Sequence, residues 1–101
     1  MGADEADAVA DLMSALSTGS RVRILYSLLE SERSVADLAA HTGLSAGVVS
    51  QQLRVLRLYG LVEGQRDGRH VRYRLSHHVL EFLTEVRAHT DHVALGIDRS
   101  A

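Results

Sequence analysis

The four residues Thr42-Gly43-Leu44-Ser45 constrain this chain more than any other stretch. Gly43 stops a helix, Leu44 is a lone apolar residue placed to be buried, and Ser45 is a fresh N-cap, so two helices must meet across a short turn. After the turn, Ser45–Tyr59 (SAGVVSQQLRVLRLY) carries Val48, Val49, Leu53 and Leu56 at three- and four-residue spacing, with Leu44 flanking, which predicts one amphipathic helix. Before it, Ser34 caps VADLAAHT, with Asp37 at the third helical position as a shorter-armed capping-box acid. Leu38, Ala39, Gly43, Leu44, Val49 and Leu53 then pack two short helices through small and branched side chains, as a helix-turn-helix does. Any tight helical hairpin could share that packing, so the outward face has to decide. It carries Ser50, Gln51, Arg54 and Arg57 and no acid. Hydroxyl, amide and guanidinium groups suit base edges and phosphates, whereas an ordinary solvated face more often mixes Lys with Glu.

A formal net charge of -2 alone argues against a nucleic-acid binder, so its distribution matters. Between Ser45 and Leu75 lie Arg54, Arg57, Arg66, Arg69, Arg72 and Arg74 against only Glu63 and Asp67, while residues 1–18 carry Asp4, Glu5, Asp7 and Asp11. A basic segment inside an acidic chain is the footprint of a phosphate-binding face. All 11 basic residues are Arg; a GC-rich genome explains this as readily as selection for Arg chemistry. The 101 residues with 46% hydrophobic content predict a single domain, large enough for a core and small enough to gain from a partner. Zero Cys removes thiolate metal sites, disulfides and Cys nucleophiles together. No apolar run approaches the roughly 20 residues of a membrane span, and MGADEADA is acidic where a signal peptide is basic. The expectation is a cytoplasmic protein without a membrane partner.

The rest of the chain builds around the turn. Ala3–Leu16, with early acids, predicts a first helix; Ser17-Thr18-Gly19-Ser20 breaks it, and Ser20 caps RVRILYSLLESE as a second, scaffolding helix. Gly60 ends the Ser45–Tyr59 helix, and the patterns LVEGQ and HVRYRLS follow, joined by Arg66-Asp67-Gly68-Arg69 around an Asp-Gly hairpin signal. In the second strand Val71, Tyr73 and Leu75 alternate with Arg72 and Arg74. A basic hairpin directly after a helix-turn-helix reads as a winged helix. Its wing-tip Arg66 and Arg69 are placed to reach backbone or minor groove beside the major-groove helix. The alternative is a solvated hairpin with incidental Arg. The expected architecture is mainly α with a small β-hairpin, in the order α1-α2-α3-α4-β1-β2-α5. The helix-turn-helix covers about 34–59, the wing about 61–75 and a last helix about 77–95. That last helix has Val79, Phe82, Leu83, Val86 and Val93, more apolar surface than docking needs, and with α1 it is the candidate homodimer interface.

Four of the six His, His77, His78, His89 and His92, fall in the last helix. His89 and His92 are i, i+3, and His78 lies three turns before His89, so all three share one face. Eleven residues at a rise of about 1.5 Å is roughly 16 Å, whereas metal–nitrogen bonds are about 2 Å. His78 therefore cannot share an ion with His89 and His92 of its own helix. An antiparallel copy across a two-fold axis solves this, giving two equivalent sites of His78 plus the His89 and His92 positions of the other copy. Plain surface or interface His is the competing account. His77 points about 100° away from His78 and ranks second; His41 and His70 are expected at solvent or phosphate.

These residues resemble a family: VSQQLRVLRLYGLV, DGRHVRYRL and a His-bearing final helix look like the ArsR/SmtB metal-responsive winged-helix regulators, over roughly Val9–Ile97. The resemblance implies a site in which an Asp and a His at the start of the final helix join two His, or a His and an acid, from the end of the partner's helix. By position the His are His78, His89 and His92, and the Asp position falls on Ser76. A fourth ligand is then Ser76, His77, water, Glu81, Glu85, Asp91 or the N-terminal arm, which offers Asp4, Glu5, Asp7 and a Gly2 amine. The ending HTDHVALGID is most similar to the nickel/cobalt-sensing branch, which implies Ni(II), with Zn(II) or Co(II) as alternatives. Imidazole and oxygen ligands without sulfur suit all three.

In the reading helix, Ala46 and Gly47 stand where family members often carry polar side chains. Base readout then concentrates on Ser50 and Gln51, with Ser45 at the helix start, Arg54 or Arg57 on phosphate and Arg66 and Arg69 at backbone or minor groove, so modest sequence discrimination, or dependence on operator shape or a partner protein, is expected. The expected function is a transcriptional regulator, a repressor on resemblance, binding double-stranded operator DNA under metal control. A metal-independent regulator controlled by a partner protein is the alternative. An enzyme is not expected: there is no Ser/His/Asp order, Gly-rich phosphate loop or cleft-forming α/β pattern.

Overall fold

The computed structural model describes residues 2–94 as five helices and one hairpin. They are α1 (Ala3–Leu16), α2 (Gly19–Glu30), α3 (Val35–Thr42), α4 (Ala46–Leu58), β1 (Val62–Asp67), β2 (His70–Leu75) and α5 (His77–Ala94). The order is the expected one, and the expected end of the last helix at Leu95 lies outside the described residues.

Local chemistry sets the central boundaries. At α3 the Asp37 N–H donates to Ser34 Oγ (3.1 Å) and the Ser34 N–H donates to Asp37 Oδ2 (3.3 Å), so the shorter acid closes the capping box. Gly43 ends α3 with φ 78, and Ser45 Oγ accepts the Val48 N–H (3.1 Å) to open α4. At the far end of α4 the Leu61 N–H reaches the Leu56 carbonyl (2.9 Å) and the Gly60 N–H reaches that of Arg57 (3.0 Å). This Schellman arrangement requires the left-handed φ of 70 that Gly60 supplies, and it throws the chain directly into the wing.

The core is where these helices converge: Ile24, Leu25 and Leu28 of α2, Leu38 of α3, Val49, Leu53 and Leu56 of α4. Leu61, Val62 and Leu75 of the hairpin and Val79 and Leu83 of α5 close it. Val48 departs from the expected stripe, being 37% exposed, because it lies about 100° round the helix from Val49.

The bounds of two elements, α2 and β1, move. α2 begins at Gly19, with Thr18 rather than Ser20 in the cap position and no side-chain cap bond, and it ends at Glu30 rather than Glu32. The early end has a cause: Arg33 pairs with Tyr73 as an isolated antiparallel bridge, N–H to carbonyl in both directions at 3.0 and 2.8 Å, which draws the chain after Glu30 into an extended path. The outer edge of β2 thereby gains a one-residue bridge, while the sheet itself stays two-stranded. β1 begins at Val62 and runs on to Asp67, leaving a two-residue loop, Gly68-Arg69. Positive φ at Gly68 and not at Arg69 is the type II′ pattern rather than the one an Asp-Gly loop suggests.

Candidate nucleic-acid interface and His-bearing helix

On α4 the side chains sort by angle. Ser50, Gln51, Arg54 and Arg57 are exposed, while Val49, Leu53 and Leu56 root the helix. Arg54, Arg57 and Ser50 line a cleft of about 550 Å³ between α4 and the wing, with Tyr73 on its far wall. Ser45 is exposed, its oxygen engaged in capping.

The arginines divide by what they already hold. Arg74 pairs with Glu63 (Nε to Oε2, 3.0 Å), and Arg72 donates to the Glu32 carbonyl (3.3 Å). Arg33 donates to the Ser27 carbonyl (3.0 Å) and pairs with Glu30 (3.4 Å). Among the described residues Arg54, Arg57, Arg66 and Arg69 have no hydrogen-bonding or ionic partner. The even cationic face expected of β2 is therefore tied down, and of the six arginines between Ser45 and Leu75 the uncommitted ones sit on α4 and at the wing's far end.

His41, expected at solvent or phosphate, is exposed, and it also bonds to the scaffold: Nδ1 to Ser27 Oγ (2.9 Å), with Nε2 3.5 Å from Glu30 Oε2. Ser27 is the buried polar residue of α2, and an unpaired hydroxyl there would be costly, so the core recruits His41. His70 stays exposed on β2.

At the start of α5, the Ser76 N–H and Oγ both donate to the Leu61 carbonyl, at 3.1 and 3.3 Å. His77 Nε2 lies 3.0 Å from Glu81 Oε1, one turn on, and the His77 and His78 rings meet edge to face with centroids 5.9 Å apart. His78 and His89 are exposed and His92 is half-buried. Among the described residues no three His, Asp or Glu side chains come together in one protomer at a spacing that holds a metal ion. The same helix leaves Leu80, Phe82 and Val93 exposed, and α1 leaves Val9, Leu12 and Met13 so, with Ala15 its one buried residue. Periodicity suggested α1 and α5, and the folded chain shows how little of them it covers by itself.

Comparison with known proteins decides the family. The profile of the "Bacterial regulatory protein, arsR family" matches residues 18–64, from the start of α2 into β1. The HTH-type transcriptional regulator NmtR of Mycobacterium tuberculosis is 44% identical over 90 residues, 88% of this chain and 75% of that protein. The chain belongs to the ArsR family. A transcriptional repressor SmtB homolog of Synechocystis is 42% identical over 88% of this chain and 68% of its own length. Among solved structures, Rv0081 of M. tuberculosis superposes with a TM-score of 0.84 at 33% identity, covering 99% of this chain and 100% of that one. The homodimeric winged helix-turn-helix DNA-binding domain of Mb0332 from Mycobacterium bovis gives 0.81 at 32% identity, over 93% and 91%. This ArsR-family protein is thus a winged-helix DNA-binding transcriptional regulator, and the relatives it matches are regulators rather than enzymes. No helix among its described residues is long and apolar enough to cross a membrane.

Three features of the site were not read from the sequence. The Arg33–Tyr73 bridge lies in a loop, ESERS, with no strand signal; Gln52 turns inward although Gln51 beside it turns out; and Ser27 needs His41. Only Ser27, polar within an apolar helix, carried a hint.

Proposed function

We propose that this protein is a homodimeric cytoplasmic repressor whose operator affinity is set by a transition metal ion, Ni(II) first and Zn(II) or Co(II) as alternatives, held between antiparallel α5 helices. The observation that carries this is the coincidence on one helix of accessible imidazoles, His78 and His89 with half-buried His92 beyond them, and uncovered apolar residues, Leu80, Phe82 and Val93. Pairing α5 and α1 with a second copy buries the apolar residues and brings the start of one α5 beside the end of the other. The homodimeric state named for the Mb0332 domain supports that pairing.

The donor set fits such an ion. His78 of one copy and the His89 and His92 positions of the other supply three nitrogens without sulfur, and the His77–Glu81 pair stands close by for a fourth ligand. Ser76 is a poor ligand, since its hydroxyl points at the Leu61 carbonyl. When bound, the metal supplies a fixed cross-link between the two helix ends. The chain's own residues carry the effect to DNA: Ser76 ties the start of α5 to Leu61, and the Leu61 N–H closes the end of α4. On α4 and the wing, Ser50 and Gln51 face base edges, Ser45 lies at the helix mouth, and Arg54, Arg57, Arg66 and Arg69 take phosphates.

Titrating Ni(II), Co(II) and Zn(II) into wild type and His89→Ala, with operator affinity measured on the same samples at one stated salt, tests this reading. Near one metal per protomer with a change in operator affinity, both lost in His89→Ala, is expected. Wild-type protein that binds none of the three near stoichiometry would sink it.

A further inference from the structure

Arg21, at the first turn of α2, touches both the end of the preceding helix and α4, 31 residues on. Its Nε donates to Gln52 Oε1 on α4 at 2.7 Å, and its Nη1 reaches the Ala15 carbonyl in the last turn of α1 at 3.4 Å. Arg offers only donors, so Gln52 must present its oxygen, which fixes the amide orientation. The Ala15 carbonyl is one of those a helix end leaves without an intrahelical partner. A planar guanidinium can serve both acceptors at once from one rigid fork, which a Lys ammonium on a flexible stem does not.

We propose that Arg21 is a positioning residue that pins the DNA-reading helix to the end of the interface helix α1, so that the reader and the interface move together. The placement of the pin matters because Gln52 lies between Gln51 and Arg54, two of the exposed residues of α4. A rotation of α4 about its own axis moves both, and the Arg21–Gln52 bond resists that rotation from the buried side. α1 itself is otherwise lightly held, with Ala15 as its one buried residue and Leu16 packed against the core, so the Arg21 contact adds a polar tie to an apolar seat at the end of α1. This inference rests on the homodimer reading for the role of α1, and on nothing about the metal.

The probe is a duplex with an inverted repeat selected by the wild-type protein from a random-sequence library. Arg21→Met and Gln52→Met are each expected to weaken its binding about tenfold, as loss of a charged-donor hydrogen bond implies, with the double variant no weaker than either single one. Arg23→Met removes the same charge from an exposed site two residues away and should stay within about threefold. In wild type, saturating duplex should slow amide exchange in α4 and in the last turn of α1 together; in Arg21→Met, α4 should still slow and the α1 turn should not. Additive losses in the double variant, or an α1 turn still protected in Arg21→Met, would overturn the pin. If Arg21→Met fails to fold, Gln52→Met carries the same exchange test. Sedimentation of the same samples separates the two readings: a monomeric wild type whose α1 turn is still protected by duplex sinks the homodimer and supports the pin.

Discussion

Removing one uncommitted guanidinium should change how steeply DNA binding depends on salt, by an amount the structure lets one work out. Arg54, Arg57, Arg66 and Arg69 have no partner among the described residues, whereas Arg72 and Arg74 are held by Glu32 and Glu63. In a homodimer the four become eight, and if each neutralises one phosphate the slope of log affinity against log salt is about -7, from roughly 0.9 per phosphate. Raising salt from about 50 to about 200 mM would then cost about 10⁴ in affinity. Arg54→Gln removes two contacts per dimer, which lowers the slope to about -5 and the loss to about 10³. Anisotropy titrations of a wild-type-selected duplex across that range read the slope directly, with Arg23→Gln on α2 as the control of equal charge. An Arg54→Gln slope equal to that of wild type, or an equal drop in Arg23→Gln, would refute the reasoning that the unpaired Arg of α4 and the wing mark the phosphate contacts.

The wing and the capping box supply two further tests. A Cβ at Gly64 would stand 3.1 Å from both Tyr73 Cε1 and Val71 Cγ1, so those two side chains must give way and Gly64→Ala should cost about 1 kcal/mol. Thermal unfolding followed by circular dichroism should show a Tm several degrees lower, and an unchanged Tm would mean that the Tyr73 ring can move aside. The Asp37 carboxyl is held below its ordinary value of 3.8 by the Ser34 backbone N–H first and the Ser34 hydroxyl second. Its contribution to stability is therefore present above that ordinary value and lost as pH falls through the lower folded value. The stability gap between wild type and Asp37→Ala should be constant well above pH 3.8 and shrink as pH falls through that value toward the lower folded one; a gap that does not shrink on acidification would contradict the capping-box assignment.

Much of this protein was legible because its signals are local. A glycine after a helix, a serine before one, alternation in a strand and three-four spacing each act within a few residues, so α3, its turn, α4 and the hairpin could be placed almost to the residue. The boundaries that moved are those set from a distance. α2 stops at Glu30 because Tyr73, 40 residues on, captures Arg33. His41, exposed as expected, also bonds Ser27, because that buried hydroxyl needs a partner. The outward Ser50, Gln51, Arg54 and Arg57 could be named from periodicity, but which arginines remain free for phosphate could not, since charge pairing depends on side chains brought together by the fold.

The sequence by itself determined the winged helix-turn-helix, its reading helix and the single face shared by His78, His89 and His92, because helix period and turn chemistry are properties of neighbouring residues. The tertiary structure alone decided that Arg21 joins α1 to Gln52, that Ser76 is tied to Leu61, and that Arg72 and Arg74 are held while Arg54, Arg57, Arg66 and Arg69 are not. Those are contacts between distant segments, and their existence depends on where packing of the core sets each backbone.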